Sequence, residues 1–339
     1  MSNSSVVYWA LNDYGVTVFD IITNVVILVI AFWIIFLNVL VLNALREHRN
    51  KEATEYYISN LSVADLLTGI YLIYNTTYNL TNFQIIFECL LRFGLLLAVS
   101  ICSVFQLVAL SADRCIKIVY PFRYADICNK KYVSVIITIS WVLALLVGLL
   151  PLMGWRNHPE TDNTCGFMRI LTVGYFRLLL CLQFTPFFLL LIIYLRIFKE
   201  AHRHALSITS SEPGATNTTT KHSLKFTKTV SIVAGTYLLC WAPMGTVVIL
   251  HVSGYLDDYT YLEKGNFIVY STGPAFLNSL LNPIIYALKV PFIRRRFKRI
   301  FSRKGTDQDR VVIPNSTCAN EVSKVTVLSG EKLILEDVS

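Results

Sequence analysis

Charge is what this chain of 339 residues is shortest of: Asp, Glu, Lys and Arg together make up 15%, against 54% apolar residues and a mean hydropathy of +0.54. A soluble domain carries about 25% charged residues, so the composition excludes an ordinary water-solvated fold of this size. Other absences narrow the function. The first 20 residues have neither the basic stretch nor the apolar core of a cleavable signal peptide, so the first long apolar segment is expected to act as its own insertion signal. No internal symmetry is present, which argues against a transporter built from inverted repeats. The six histidines, at 48, 158, 202, 204, 222 and 251, are scattered and fall mostly in loops. Neither a metal site nor an acid-base cluster can be assembled from them, so an enzyme is not expected.

What the sequence has in quantity is long uncharged runs. They extend from Ile21 to Leu45, Leu66 to Phe87, Phe93 to Ala112, Tyr132 to Trp155, Leu178 to Leu195, Thr229 to Leu256 and Gly265 to Leu288. A bilayer crossing needs about 20 apolar residues, so these predict an all-α membrane protein, a bundle of seven transmembrane helices (helices 1 to 7). Asp65 and Arg92 interrupt the second and third crossings, and intramembrane charge is usually kept for function. The expected organisation is an outer tail over 1–18, the bundle over 19–288, a short amphipathic helix over 289–301 and an inner tail over 302–339. Basic residues concentrate between helices 1 and 2, 3 and 4, 5 and 6, and after 7, which places the N-terminus outside and the C-terminus inside. The net charge of +8 then reads as positive-inside bias and attraction to anionic lipid, not nucleic-acid binding.

Asn3 heads a glycosylation sequon on the expected outer side; Asn75 and Asn79 match too but lie close to the membrane. Of the eight cysteines, Cys102, Cys115, Cys181 and Cys240 fall within helices and read as packed apolar side chains. Cys89 and Cys165 both fall on the outer, oxidising side, at the top of helix 3 and in the second outer loop, and are expected to form a disulfide. The polar run Ser207 to Asn217 separates helices 5 and 6. After helix 7, Ile293, Phe297, Ile300 and Phe301 share a stripe with basic residues opposite, the pattern of a helix lying in the inner interface or of a solvated basic helix.

Each helix also carries a polar or proline feature that lipid exposure disfavours. In order these are Asn38 with Val41; Asn60 to Leu66 with Asp65; Asp113-Arg114-Cys115; Trp141; Pro186 with Tyr194; Cys240-Trp241-Ala242-Pro243; and Asn278 with Asn282-Pro283-Ile284-Ile285-Tyr286. Over residues 20 to 301 this series resembles the rhodopsin-like (class A) G-protein-coupled receptors. The resemblance implies a plasma-membrane receptor that binds a small ligand, sits among membrane lipids, and engages a heterotrimeric G protein and arrestin. It implies coupling roles for Asp113, Arg114, Phe122, Tyr194, Trp241, Pro243, Asn282, Pro283 and Tyr286. Pro186, Pro243 and Pro283 would each remove a backbone hydrogen bond and hinge a helix. It also implies an allosteric sodium ion, in place of any organic cofactor, held by Asp65, Ser103, Asn278 and Asn282, with Ser279 nearby. The alternative is a neutral, hydrogen-bonded Asp65.

Three positions depart from the family pattern: Cys115 replaces a tyrosine, Tyr237 replaces a phenylalanine, and no acidic residue stands near Ser223 to latch Arg114 from the base of helix 6. The missing latch predicts appreciable basal activity. The resemblance places the ligand against Arg92, Leu96, Ser100, Phe167, Trp241, Met244, Val248 and Phe276. Leu96 stands where amine receptors need a carboxylate, and helix 7 has no lysine for retinal, so both ligand types are unexpected. Arg92 either meets an anionic or polar lipid headgroup, as the similar arginine of several lysolipid receptors implies, or snorkels or pairs with Glu88. Stretches such as Leu150 to Trp155 and Lys228 to Val233 resemble adenosine receptors, and Phe167 matches their stacking phenylalanine. The two polar groups that grip the purine there are Met168 and Val248 here, a loss worth several powers of ten at a site that reads hydrogen bonds. A lipid-like or mainly apolar ligand is therefore expected, although lysolipid, melanocortin and cannabinoid receptors generally lack the helix 3 cysteine.

Overall fold

A computed structural model describes residues 11–12, 15–16, 18–48, 51–81, 85–157, 166–209 and 218–301. Asn3, Cys165 and the tail from 302 lie outside the described residues. The elements are a hairpin of β1 (Leu11–Asn12) and β2 (Gly15–Val16), then α1 (Val18–Glu47), α2 (Ala53–Thr81) and α3 (Ile86–Val119). A 3-10 turn (Pro121–Arg123) leads into α4 (Tyr124–Ile127), α5 (Lys130–Leu149), α6 (Phe167–Ile170), α7 (Val173–Thr209), α8 (Thr218–Val252), α9 (Tyr261–Lys289) and α10 (Pro291–Phe301). The seven uncharged runs lie on α1, α2, α3, α5, α7, α8 and α9; the hairpin carries no signal in the sequence.

Five of these helices, α1, α3, α5, α7 and α8, are long and apolar enough to cross a bilayer. The bent pair α9 and α10, meeting at 101°, gives a sixth when counted as one span. The chain is a multi-pass, all-α membrane protein. Helix α2 has the length, at 29 residues, but is more polar than these five. Among its polar side chains Asp65, Ser62, Thr68, Asn75 and Thr76 are buried and face the bundle.

The helices begin where side chains can satisfy free backbone groups. Asn129 caps α5 by accepting from the Tyr132 N–H at 3.1 Å, and Thr260 with Glu263 forms a reciprocal capping box on α9. Helix α3 packs against α2, α5, α7 and α8, which makes it the central strut. Its closest approach is to α5, where a Cβ on Gly94 would stand 2.6 Å from the carbonyl oxygen of Gly148. Two glycines facing each other let the backbones touch, the usual device for helix packing in lipid. One apolar core, including Val104, Leu107, Leu110, Val233, Tyr237 and Tyr286, fills the half of the bundle toward α10. A second, including Phe93, Phe167, Phe176, Val248 and Ile268, fills the opposite end.

By internal contacts the chain divides into Met1–Phe297, which holds the bundle, and Lys298–Ser339, of which only the end of α10 is described. Within the first unit the start of α10 departs from the expected stripe. Ile293 is fully buried and Phe297 packs on the bundle core. Phe292 stacks on His48 with ring centroids 4.8 Å apart, and Arg296 pairs with Glu47 at 3.0 Å. Half of the stripe expected to meet lipid is thus covered by protein. Ile300 remains 43% exposed.

Candidate functional site

At the end of the bundle where α1 and α3 begin, an aromatic series closes it. Phe167 on α6 meets Phe93 on α3 edge-on at 5.2 Å and Phe176 on α7 at 5.5 Å. Met168 and Val248 are buried in the same cluster, against Met244. The hydroxyls of Ser271 and Thr272 on α9 reach the Met244 sulfur, each at 3.5 Å. One turn deeper, Trp241 lies 5.9 Å from Tyr237. Cys89 is disulfide-bonded. Ser100 donates to the carbonyl of Leu96 on its own helix at 2.8 Å. Phe276 is placed elsewhere: it packs with Ala31, Ile34 and Leu72 and lies 6.5 Å from the Tyr71 ring, between α1, α2 and α9. The spacing along helix 7 did not distinguish these two surfaces.

Arg92 is committed to the protein, as the alternative reading of the sequence had it. It is fully buried and pairs with Glu88 at 3.0 Å. It also donates to Asn75 Oδ1 on α2, and its guanidinium sits over the rings of Tyr78 at 4.1 Å and Phe93 at 5.0 Å. Tyr74 donates to Glu88 at 2.7 Å, so α2 and α3 are tied by a small polar lattice. A guanidinium without water needs such partners. Asn75, which matched a sequon, is 7% exposed and occupied in this lattice.

Mid-bundle, Asp65 accepts from Asn282 Nδ2 at 2.9 Å, and Ser279 is buried nearby. Ser62 Oγ, Asn278 Oδ1 and Asn282 Oδ1 are buried and unpartnered. Ser103 is buried on α3. One carboxylate with unengaged amide and hydroxyl oxygens is a donor set suited to a hard monovalent cation. Among the described residues no cluster of three His, Cys, Asp or Glu exists to hold a transition metal. Asn38 donates to the Ser279 carbonyl at 3.1 Å and braces α1 against α9 beside this cage.

At the opposite end Arg114 is 3% exposed and bonds Asp113 at 2.6 Å. It also donates to Thr54 at the start of α2, while Thr54 donates to Asp113 at 2.6 Å. Tyr124 donates to the other Asp113 oxygen at 2.8 Å. Burial, then the Asp113 carboxylate, pushes the Tyr124 phenol above its usual range, so it stays a donor. The same two causes push the Cys128 thiol up to about 11. Glu52 stands 4.0 Å from Arg114 and pairs with Lys117. None of Glu52, Thr54 or Tyr124 was legible in the sequence, because their relation to Arg114 arises only when α2 and the turn after α3 fold against its base. Ser111 and Tyr194 share a hydrogen bond at 3.1 Å, and the Tyr286 hydroxyl is buried without a partner. Phe122 is 99% exposed. A cavity of about 850 Å³ opens between α3, α5 and α7, bounded by Phe105, Ile136 and Leu189.

Three prolines expected to hinge helices lie inside α7, α8 and α9, and Pro274 adds a second to α9. Tyr237, the residue that departs from the family's phenylalanine, accepts a hydrogen bond from Gln183 Nε2 and so links α8 to α7 across the hinge region.

The family described as "7 transmembrane receptor (rhodopsin family)" matches residues 37–286. Among individual proteins, the chain is 29% identical over 277 residues to "Adenosine receptor A2b" of Gallus gallus, covering 75% of this chain and 80% of that one. It is 31% identical over 233 residues to "G-protein coupled receptor 12" of Homo sapiens, 68% of this chain and 66% of that one. It is 27% identical over 339 residues to "Lysophosphatidic acid receptor 1" of Bos taurus, 97% of this chain and 91% of that one. The chain belongs to the rhodopsin family of seven-transmembrane receptors and is a signalling protein of that class, not an enzyme.

Proposed function

We propose that this rhodopsin-family receptor crosses the plasma membrane seven times and carries a small, mainly apolar, lipid-like signal to a heterotrimeric G protein. Its N-terminal end faces outside. The observation that carries the ligand reading is the aromatic and aliphatic lining of that outer end: Phe93, Phe167, Phe176, Val248 and Ile268 pack there, with Met168 where a nucleoside receptor would need a hydrogen-bonding group. Ligand sites built from such side chains take their affinity from apolar burial and their orientation from a few polar groups. Leu96, Ser100, Trp241 and Met244 complete the contact set. The inward-facing polarity of α2 supports the seventh crossing, and the basic segments at the α10 end support the orientation.

On this reading agonist contact near Trp241 biases an outward swing of α8 about Pro243, with Pro283 easing α9, and opens a crevice for the G protein. Arg114 leaves Asp113 and meets the partner, Tyr194 and Tyr286 turn toward it, and Phe122 enters the partner's surface. Arrestin uses the same face. Sodium at Asp65, Asn278, Asn282 and Ser103 favours the resting state. Cys165 is the partner of Cys89, and Asn3 carries the glycan. Second-messenger output from cells expressing the receptor, screened with single-chain lipids, nucleosides and amines, tests the proposal. Responses confined to lipids are expected; a response to adenosine at lower concentration than to any lipid would overturn it.

A further inference from the structure

The outer cluster contains one polar side chain whose hydrogen-bonding capacity the protein leaves unused. His251, at the end of α8, has both ring nitrogens buried and without a hydrogen-bond partner. Its ring meets Phe176 edge-on at 5.0 Å, and Phe176 in turn touches Phe167. A buried imidazole with neither nitrogen engaged loses its hydration for nothing in return, and such a group calls for an explanation.

Among the described residues, the charges that act on it are Lys264 and Asp257. They are not equivalent. Lys264 is 8% exposed whereas Asp257 is exposed to solvent, so the lysine is felt through protein and the aspartate is screened by water. Of these two, the lysine acts on the ring more strongly than the aspartate.

The connection that sets this pair is rigid for a loop. Tyr255 N–H bonds the Leu250 carbonyl at 3.0 Å, Gly254 adopts φ +81°, and Leu256 is buried beneath the turn. This is a helix stop of the left-handed type, after which the Thr260–Glu263 capping box starts α9 and the Lys264 N–H bonds the Thr260 carbonyl at 3.0 Å. His251 and Lys264 are thus presented from two helix ends, next to the aromatic series, without any segment having to order first. Arg92 holds the cationic position that the sequence offers, but Glu88, Asn75 and Tyr78 already occupy it.

We infer that the ligand carries an anionic head, a carboxylate or phosphate, read by a ring N–H of His251 and the charge of Lys264 while its tail lies along Phe93, Phe167 and Phe176. The inference rests on the apolar-ligand reading above and adds the head group to it. Charge-assisted bonds from an imidazole and an ammonium suit an anion better than a neutral amide or hydroxyl.

The test uses the full chain in phosphatidylcholine nanodiscs, with binding followed by the shift in thermal midpoint. The probes are oleate and 1-oleoyl lysophosphatidate, the uncharged 1-oleoylglycerol and oleoylethanolamide, and the tail-less glycerol 3-phosphate. The anionic lipids should bind the wild type more tightly than the uncharged ones. His251→Phe, which keeps the edge contact to Phe176, and Lys264→Gln should each weaken the anionic lipids by about tenfold or more and leave the uncharged ones unchanged. Lys264→Arg should retain binding and stands in if Lys264→Gln does not fold. Equal binding of charged and uncharged lipids by the wild type, or wild-type binding of the anionic lipids by both His251→Phe and Lys264→Gln, overturns the inference and leaves the apolar reading standing. If glycerol 3-phosphate binds as well as its oleoyl ester, the apolar reading falls while the head assignment survives. If no oleoyl compound binds, both fall.

Discussion

Replacing Arg92 by alanine separates a structural cation from a ligand-reading one. In the structure the change leaves Glu88 and Asn75 without their partner in a region where the Glu88 side chain is only 14% exposed. Removing one member of a buried ion pair costs about 3 to 5 kcal/mol, and the partial exposure of Glu88 puts this case near the lower figure. Loss of the guanidinium over Tyr78 and Phe93 adds about 0.5 to 2 kcal/mol. The expected result is a lower thermal midpoint of the purified receptor and reduced surface expression, with agonist affinity in the surviving fraction changed by less than about tenfold, or 1.4 kcal/mol. The double variant Glu88→Gln with Arg92→Gln removes both charges at once and should recover part of the loss, because no unpaired ion remains. Wild-type stability of Arg92→Ala together with an affinity loss well beyond tenfold would refute the reasoning and return Arg92 to the ligand site.

Asp65→Asn deletes the carboxylate of the polar cage and should abolish any effect of sodium on agonist affinity; a sodium effect that persists in the variant places the ion elsewhere. Phe122→Ala removes a fully exposed apolar side chain and should raise the G-protein concentration giving half-maximal activation about tenfold with ligand affinity intact, so unchanged activation takes Phe122 out of the interface. Gly148→Val puts a branched side chain against Gly94 and Ala98 and should lower stability by about 1 to 3 kcal/mol, measured as a thermal midpoint; an unshifted midpoint means that α3 and α5 can part without cost. Cys89→Ser and Cys165→Ser should lose surface expression to the same degree, and normal expression of either one refutes their pairing.

Much of the bundle could be read directly from residue pattern, because lipid imposes a simple rule: a long run without charge must be a helix. Asp65 and Asn282 were legible for the complementary reason, since polar groups in oil must find each other, and they do at 2.9 Å. What could not be read was direction around a helix axis. Arg92, Leu96 and Ser100 share a spacing, yet Arg92 turns to α2. Phe276 is expected among the ligand-lining residues, and its ring lies 6.5 Å from Tyr71, between α2 and α9. In a membrane helix both faces are apolar, so hydrophobic periodicity, the usual compass, carries little information. The stripe on α10 shows the same limit from the other side: its pattern was right, but pattern alone does not say whether lipid or protein covers Ile293.

The base of the bundle shows how a missing residue alters a mechanism without abolishing it. With no acidic side chain near Ser223, the sequence predicts a weakly latched resting state. The described bonds of Arg114 come from Asp113 on α3, Thr54 on α2 and Tyr124 on α4, with Glu52, just before α2, at 4.0 Å. On the proposed mechanism the outward swing of α8 leaves those bonds in place. The packing of Val230, Val233 and Tyr237 and the Gln183–Tyr237 hydrogen bond resist that swing. The release of Arg114 from α2 becomes a second, separate event, which an arriving G protein can drive by competing for the guanidinium. On this mechanism the tyrosine that departs from the family pattern at position 237 adds to the grip of α7 on α8, and so to the restraint on basal signalling.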